Sequence, residues 1–360
     1  MGYQFCDPFD NYGNNYTLTN GYPWDVVSNA SVITSDYRFA PPAGLSGGCC
    51  KITQNGFIQK TLAGTPGTIL LTFGMKCSNI PSSGQQLLSS FYDTGNFQCA
   101  LMVTGNAGLQ LWKGNGLPLG GGGNWVTQVG ATSVNGTIMS GAWNGFQVLV
   151  TIDSSGGAIQ VYMNGNPTPV LSSTGINTRG TANSYATQVQ FNCPNTGGGG
   201  DTRFDDIVIL DTSGVTLNAL PGSDSRLFQK VPNGAGFYTN WTPNGLGSNY
   251  QNVAVMPPSA ADYNANNVGG TKDSYALPSA GILFNPLMVL ARASLEKDDG
   301  NTHTPSLMVR SSSTDGVGSA LNSLGSSYLF YDTVFPTDPN SGTAWTAAAA
   351  DSAQVGVVEG

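Results

Sequence analysis

The chain has 360 residues and is unusual in its 49 glycines and its low share, 9%, of charged residues. Lysine and arginine number 13 against 21 aspartates and glutamates, a formal net charge of -8, and the basic residues form no cluster. Nucleic-acid binding needs a basic stripe, so nucleic acid is excluded as a partner. Aromatic residues make up 10%, which favours a folded, turn-rich β protein over a disordered chain.

The first third of the chain reads as a series of short strands. Met1 to Phe9 has neither a basic start nor an apolar run, so we expect no signal peptide. From Ser31 to Trp112, apolar runs alternate with Gly, Pro, Asn and Ser at a spacing of roughly ten residues, which is typical of a β-sandwich. The glycine runs Gly120 to Gly123 and Gly197 to Gly200 are predicted to be loops.

The six cysteines leave two interpretations open. An even number permits disulfides, within or between chains, but the sequence does not rank the pairings. Free thiols that pack as small hydrophobic side chains are the alternative. If Cys49 and Cys50 lie on a strand, one faces the core and the other faces outward. The disulfide candidates are Cys6, Cys49, Cys50, Cys77, Cys99 and Cys193.

Two tryptophans flank a glycine-rich loop and are the candidate glycan-binding residues. Trp112 and Trp125 stand on either side of the segment KGNGLPLGGGGN. An exposed aromatic ring offers a flat face that suits the apolar C–H face of a pyranose. Packing in the core is the alternative for both residues.

The stretch from Trp143 to Leu171 carries the clearest pattern in the chain. It predicts a strand, a turn at Asp153 to Gly157, and a returning strand that ends in YMNG. Asn164–Gly165 is the dipeptide preferred in type I′ turns. A further dense β run, FDDIVILD, spans Phe204 to Asp211. The residues predicted to share one buried face of the first strand are Phe146, Val148, Val150 and Ile152.

The second part of the chain has its own β runs, and turn-rich residues separate it from the first. We place the boundary in the segment after Asp211, which gives predicted domains 1–214 and 215–360. The most apolar window, Ala280 to Leu295, contains Pro286 and Arg292 and is too short to cross a bilayer, so no membrane partner is expected. The alanines between Trp345 and Ala353 favour one short helix.

The order of these motifs resembles a known architecture. Tryptophan, strand, turn, YMNG strand and FDDIVILD together resemble the concanavalin A-like or laminin-G-like jelly roll. DPFDNY at Asp7 to Tyr12, Trp241 to Asn249, Lys272 to Leu277 and Thr337 to Thr346 extend the likeness over most of the chain. Taken together, they resemble a family of tailed-bacteriophage structural proteins with a lectin-like N-terminal half.

The resemblance implies an all-β fold of two antiparallel β-sandwich domains, with a jelly roll first. It implies a non-enzymatic structural component of the virion on the capsid, tail or fibre, made in the host cytoplasm and released on lysis. Such proteins are repeated subunits, so we expect a homo-oligomer that also binds other virion proteins. A trimer is the leading candidate for this oligomer. The alternative is a lectin-like host-surface adhesin that binds glycan through the N-terminal domain.

We predict no catalytic residues. Glycosidases use paired carboxylates, but the two glutamates, Glu296 and Glu359, lie far apart in the sequence. Asp205 and Asp206 are strand neighbours, and we expect them to point to opposite faces.

Short strings that match catalytic motifs lack the rest of each motif. Gly44 to Gly48 matches a nucleophile elbow, which also needs a flanking strand, a helix and a distant histidine. The one histidine, His303, lies in a polar segment. Asp93-Thr94-Gly95 matches half of an aspartic-protease site, which needs a second aspartate.

We expect no cofactor. Lectins of the resembled kind also hold calcium through loop carboxylates, and Asp201, Asp205 and Asp211 are oxygen donors in the corresponding region. Their spacing is not that of a calcium loop, which makes calcium a weak alternative.

Overall fold

The computed structural model describes residues 2–10, 12, 15–18, 23–41, 47–80, 85–114, 127–193, 200–221, 225–255, 258–282, 284–321 and 324–360. The fold is nearly all β, with 47% strand and 3% helix, and its sheets are antiparallel, which confirms the predicted fold class. The chain divides into two compact units, residues 1–39 with 47–227 and residues 40–46 with 228–360. Residues 215–227 thus group with the first unit, whereas the sequence places them in the second domain. The predicted domain bounds stay a prediction.

The first unit is built around a 14-stranded antiparallel sheet. Its strands are β1 (Tyr3–Asp7), β2 (Tyr16–Thr17), β3 (Val26–Ile33), β4 (Cys49–Thr61), β5 (Thr68–Cys77), β6 (Gln85–Asp93), β7 (Asn96–Thr104), β8 (Leu109–Lys113), β9 (Thr127–Thr132), β10 (Trp143–Thr151), β11 (Gly157–Met163), β12 (Leu171–Ile176), β13 (Gln188–Asn192) and β14 (Asp201–Asp211). The main strand order is β12-β11-β10-β5-β14-β4-β13-β6-β7-β8-β9.

Strand β4 joins the two layers of this sandwich. Its first half pairs with β14 and its second half with β13, so one continuous sheet folds over on itself. The bend falls near Asn55, whose φ of 62° lies in the left-handed region. At the neighbouring Gly56, a Cβ atom would lie 2.7 Å from both Ile52 Cγ2 and Ser28 O. A glycine is therefore required where the strand turns from one layer to the other.

Aromatic rings from both layers meet in the core between them. Phe73 of β5 stacks on Phe146 of β10 with ring centroids 4.9 Å apart, and it meets Phe191 of β13 edge-on at 5.3 Å. Trp24 contacts Phe191 from the side, with a centroid distance of 6.0 Å. Such edge-to-face and offset pairs fit the aromatic quadrupole and add to the stabilisation from buried area.

The hairpin predicted after Trp143 is confirmed. β10 and β11 pair antiparallel, with Val150 opposite Ile159. The four residues predicted to share a buried face are each at most 1% exposed. Asn164 and Gly165 both have positive φ, and Asn166 N donates to Met163 O, as a type I′ turn requires.

The second unit is a smaller sandwich. Its elements are β15 (Gly234–Thr239), β16 (Thr242–Asn244), α1 (Asn249–Val253), β17 (Tyr263–Ala265), β18 (Lys272–Ala276), β19 (Val289–Leu295), β20 (Ser306–Ser311), β21 (Thr314–Val317), β22 (Leu329–Phe335), α2 (Ala347–Ser352) and β23 (Gln354–Val358). A five-stranded sheet, β15-β18-β23-β20-β21, packs against the two-stranded sheet β19–β22 around Trp345, Leu307 and Val309.

The helix predicted between Trp345 and Ala353 is present as α2, and Thr346 Oγ1 caps it by accepting a hydrogen bond from Ala349 N. Within the described part of the chain, no helix has the length and apolar character needed to cross a membrane.

Candidate functional site

Two of the motifs that carry the resemblance, DPFDNY and FDDIVILD, meet in the structure. β1, which ends at Asp7, pairs antiparallel with the second half of β14, and Asp7 lies opposite Ile207. The Asp7 side chain is fully buried and accepts hydrogen bonds from Phe9 N at 3.0 Å and from Trp24 Nε1 at 2.9 Å. Asp7 therefore fixes the N-terminal motif to the sheet.

Further carboxylates gather beside Asp7. Asp10 accepts from Gly48 N at 3.0 Å, Asp205 from Arg38 N at 2.8 Å, and Asp206 from Leu227 N at 2.8 Å. Burial, together with the charge of Asp206, raises the pKa of Asp10 to about 8. Burial and the same neighbouring charge also raise the pKa of Asp205.

Asp205 and Asp206 do not point to opposite faces as expected. A register shift interrupts the pairing of β14 with β5 after Asp205, and Asp206 has a φ of 53°. This bulge brings both carboxylates to Arg38, whose Nη1 lies 3.8 Å from Asp206 Oδ2. Both side chains hold neighbouring segments in place.

A row of charged side chains crosses the same sheet. Asp36 accepts from Trp143 Nε1 at 3.1 Å and from Lys76 Nζ at 2.8 Å, and Arg203 Nη1 contacts the same carboxylate. Burial alone would raise the pKa of Asp36, but the hydrogen bonds from Lys76, Arg203 and Trp143 outweigh it and lower the pKa. The row places Trp143 in a structural contact.

A cavity of about 430 Å³ opens beside these groups in the first unit. The register of the sheet sets its floor, because Gln147 of β10 lies opposite Thr72 of β5 on one side and Tyr162 of β11 on the other. The Arg38 side chain lies against Gly74 of β5, where any Cβ atom would collide with Arg38 Cδ. We call this the Arg38 cavity; its lining includes Arg38, Thr72, Gln147, Tyr162, Asn164, Leu220 and Ser225.

The polar groups of the Arg38 cavity are mostly held by neighbours. Tyr162 OH donates to Gln160 Oε1 at 3.3 Å, and Asn164 Oδ1 accepts from Gly145 N at 2.7 Å. Arg38 Nη1 donates to Ser225 O at 3.1 Å. Gln147 differs, because its Nε2 is buried and has no hydrogen-bond partner. The described lining contains no carboxylate, histidine or cysteine.

Of the two tryptophans proposed for glycan binding, the structure describes Trp112. Trp112 is half-buried on β8, where its Nε1 donates to Gln110 Oε1 at 3.0 Å. It packs against a small cluster on the outside of the second layer, formed by Leu87, Tyr92, Phe97, Ala100 and Met102. Trp125 lies outside the described residues. Glycan contact by these residues stays a prediction.

The three aspartates considered for calcium lie along one strand rather than around one point. Asp201 and Asp211 mark the ends of β14, a separation of about 30 Å at strand geometry. Asp201 pairs with Lys51 at 3.4 Å, and Asp211 accepts from Gln4 Nε2. Across the described residues, no group of three potential metal ligands converges. These residues do not fit a calcium ion.

All six cysteines are free and buried. Cys49 and Cys50 are both fully buried, so neither faces outward as the strand alternation suggested. Burial raises the pKa of Cys99 to about 12. Thr202 Oγ1 contacts Cys193 Sγ at 3.4 Å and Cys77 Sγ at 3.7 Å. In this state the thiols pack as small hydrophobic side chains.

The residues of the short catalytic strings make structural contacts where the structure describes them. Asp93 accepts from Asn183 Nδ2 at 2.8 Å and from Thr181 Oγ1 at 3.1 Å. His303 contacts Glu359 Oε1 at 2.8 Å and Asp299 Oδ1 at 3.1 Å. Ser46 lies outside the described residues.

The sequence analysis missed the Arg38 cavity. Gln147 and Tyr162 fall on the polar positions of two strands that the alternation did identify, and this was the available signal. Arg38, Leu220 and Ser225 lie far away in the sequence and outside any strand. No periodicity could have placed them there.

The fold is that of an all-β sandwich protein, and a ligand-sized cavity lies in its first unit. No family model matches the chain, and no curated protein matches it. The cellulose-induced protein Cip1 is similar over 63% of this chain and 94% of its own, with 14% identity and a TM-score of 0.35.

Two further solved structures show likenesses of the same order. The alginate lyase AlgAT5 of polysaccharide lyase family 7 covers 45% of this chain and 77% of its own, with 11% identity and a TM-score of 0.29. The Trypanosoma rangeli sialidase with the inhibitor DANA covers 55% of this chain and 30% of its own, with 13% identity and a TM-score of 0.33. Similarities this low carry no argument about function.

Proposed function

We propose that this chain is a non-enzymatic structural subunit of a tailed-bacteriophage virion. It associates with copies of itself, with a trimer as the leading candidate, and with other virion proteins. The order of the motifs from Asp7 to Thr346 supports this role through the family resemblance. The observation that carries it is a partial sheet in the second unit with large apolar side chains exposed beside it.

The small sheet of the second unit is a partial layer. Within the described residues, β19 and β22 pair with each other and with no other strand, whereas the sheet that they cover has five strands. A two-stranded sheet is marginal alone. Phe284 and Leu287, in the segment that leads into β19, are 71% and 60% exposed. Exposed large apolar side chains next to a partial sheet support an interaction surface here.

A second copy of the chain is the partner that this surface suits. Charged residues make up 9% of the chain, so like surfaces repel each other weakly in spite of the net charge of -8. Interface cores are enriched in aromatic residues, and Phe284, Phe330 and Tyr331 lie in or just before these two strands. Repeated subunits on a symmetric particle also use the same interface at every copy.

Electron microscopy of labelled particles tests the virion role. Gly360 is exposed, so a gold-binding tag added after it should remain accessible. We expect the label at regular, symmetry-related positions on the capsid, tail or fibre of particles purified after lysis. The label's absence from purified particles, with the tagged chain left in the soluble lysate, would contradict the proposal.

A lectin-like host-surface adhesin is the second candidate. Trp112 favours it, because this half-buried ring lies near two glutamine side chains on the outside of the second layer, Gln110 and Gln128. Amide groups and an aromatic ring together are suited to binding a sugar. If this candidate is right, Trp112→Ala should reduce adsorption of particles to host cells and leave particle assembly unchanged. If the chain is a structural subunit without glycan contact, Trp112→Ala should leave both adsorption and particle assembly unchanged.

A further inference from the structure

We propose that His303 is a pH-operated latch between the two sheets of the second unit. Its ring joins Asp299, in the loop that follows β19, to Glu359, the residue that follows β23. The latch is closed when the ring carries a proton on each nitrogen, and its Asp299 side opens when the ring loses one of them. This inference is independent of the virion role, because it rests on contacts within the second unit of a single chain.

Both ring nitrogens of His303 face carboxylate oxygens. Nδ1 lies 2.8 Å from Glu359 Oε1, and Nε2 lies 3.1 Å from Asp299 Oδ1. An ionised carboxylate only accepts hydrogen bonds, so each ring nitrogen must donate for both contacts to be hydrogen bonds. Only the imidazolium form carries both protons. The geometry of the closed latch therefore requires a charged His303.

The protonation of His303 changes near neutral pH. The hydrogen bond with Glu359 and, after it, the contact with Asp299 raise the pKa of His303 above its ordinary value of 6.5. Because the pKa is raised in the folded state, the stabilisation from the latch is complete below about pH 6.5. It is lost as the pH rises through the raised pKa. The latch is thus closed in acid and opens on the alkaline side.

The two contacts of the ring differ in their exposure to solvent. The side chain of Glu359 is 6% exposed and that of Asp299 is 36% exposed. Water can solvate Asp299, whereas an unpaired Glu359 carboxylate is costly. A neutral His303 therefore keeps its proton on Nδ1 for Glu359, and its Nε2 lone pair then faces Asp299. The loop is released at Asp299, while the end of β23 stays bound to the ring.

Other charged residues on the described elements around His303 do not contact its ring. In the same loop, Lys297 Nζ donates to a backbone carbonyl at 2.8 Å, and Asp298 is exposed. At the start of β18, Lys272 pairs with Asp315 at 2.8 Å. The segment 319–327, which donates to the backbone carbonyl of His303, has no charged residue in its sequence. The two carboxylates of the latch are therefore the charged groups that act on the ring directly.

An NMR titration of the full chain, without a histidine tag, tests the latch. His303 is the one histidine in the sequence, so its imidazole signals do not overlap with others. We expect a pKa above 6.5 and, above that pKa, a neutral ring protonated on Nδ1 in long-range proton–nitrogen spectra. A free neutral histidine prefers the proton on Nε2, so this result distinguishes the latch from an unconstrained side chain. The amide signals of residues 298–303 should change along the same curve.

Variants of the two carboxylates measure what each contact contributes. Glu359→Gln should bring the pKa of His303 towards about 6.5, the value of an unperturbed histidine. Asp299→Asn should lower it less, since solvent screens the more exposed contact. Asp298→Asn is the matched control, because it removes the same charge from the next residue of the loop, and it should lower this pKa far less than Asp299→Asn. Melting temperatures identify a variant that fails to fold, and the titration of the wild-type chain needs no variant.

The inference is wrong if any of three results is obtained. The first is a pKa of the wild-type His303 at or below about 6.5. The second is a neutral ring that carries its proton on Nε2, and the third is an equal effect of Asp299→Asn and Asp298→Asn on the pKa. None of them bears on the virion role, which particle labelling tests separately.

Discussion

At the scale of single residues, the register of β10 sets which side chains the core accepts. Val150 is fully buried between Ile69 and Ile159 on the neighbouring strands. Val150→Asp should lower the free energy of unfolding by more than about 3 kcal/mol, because a buried carboxylate there has no partner. Urea unfolding followed by tryptophan fluorescence measures the change. Val215→Asp, at a valine that is 93% exposed, should change it by less than about 0.5 kcal/mol.

The carboxylate cluster makes stability depend on pH in a defined direction. The pKa of Asp10 is 3.8 in the unfolded chain and about 8 in the folded protein. Between these pH values the folded state holds a proton that the unfolded state has released. The stabilisation from Asp10 is therefore complete below about pH 4 and is lost as pH rises through about 8.

Melting curves across this pH range check the sign. We expect the melting temperature to fall from pH 5 to pH 9, and to fall less in Asp10→Asn than in the wild type. Asp153→Asn is the control variant. Hydrogen bonds from Gly156 N and Ser155 N lower the pKa of Asp153 and keep it ionised over this pH range, so this variant should show the same pH dependence as the wild type. A melting temperature that rises with pH would contradict this prediction.

The burial of a residue was predictable where the alternation along one strand determines it. It was not predictable where segments distant in the sequence come together. Alternation identified Val150 and its companions as buried. The same alternation predicted that Asp205 and Asp206 point to opposite faces, which is wrong. The bulge with positive φ at Asp206 could not be predicted, because it does not alter the hydrophobic periodicity. Arg38 reaches the cavity from a segment after β3 that has no periodic pattern.

At the scale of elements, the passage of β4 between layers depends on one glycine. A Cβ atom at Gly56 would press on Ile52 and on the Ser28 carbonyl. Gly56→Ala should therefore reduce the free energy of unfolding by about 1–3 kcal/mol through overpacking. At Gly156 a Cβ atom would be in ordinary contact, 3.5 Å from Asp153 Oδ1, so Gly156→Ala is the matched control with little expected change. Equal stability of the two variants would show that the bend tolerates a side chain.

The hairpin of β10 and β11 and the strand β14 were predictable because their sequence signals are local. Asn164–Gly165 fixes its turn through backbone preference alone, and the dense β run after Phe204 forms β14. The path of β4 was not predictable, since which half pairs with β14 and which with β13 depends on contacts across more than a hundred residues. Helix α1, with five residues, is too short for a periodic signal.

At the scale of the whole molecule, the two units differ in how completely they bury their apolar residues. The first has a large core with rings from both layers, whereas the buried core of the second is small and centres on Trp345. Much of β19 and β22 is half-buried. Composition and strand spacing indicated two β-rich regions but did not distinguish a complete sandwich from a partial one. Whether a sandwich is complete depends on which apolar side chains pack against residues distant in the sequence, and the strand pattern does not contain this information.

Association through the second unit gives the last prediction. Phe284 and Leu287 are exposed in the segment that leads into β19, so covering them should drive self-association. We expect sedimentation of the purified chain to show an oligomer, first of all a trimer, and Phe284→Ser with Leu287→Ser to shift it towards monomer without lowering the melting temperature of the first unit. Val134→Ser with Val215→Ser removes two exposed valines from the first unit and should leave the oligomer intact. A wild-type chain that stays monomeric at every concentration and binds no other particle protein would remove the case for assembly through this surface.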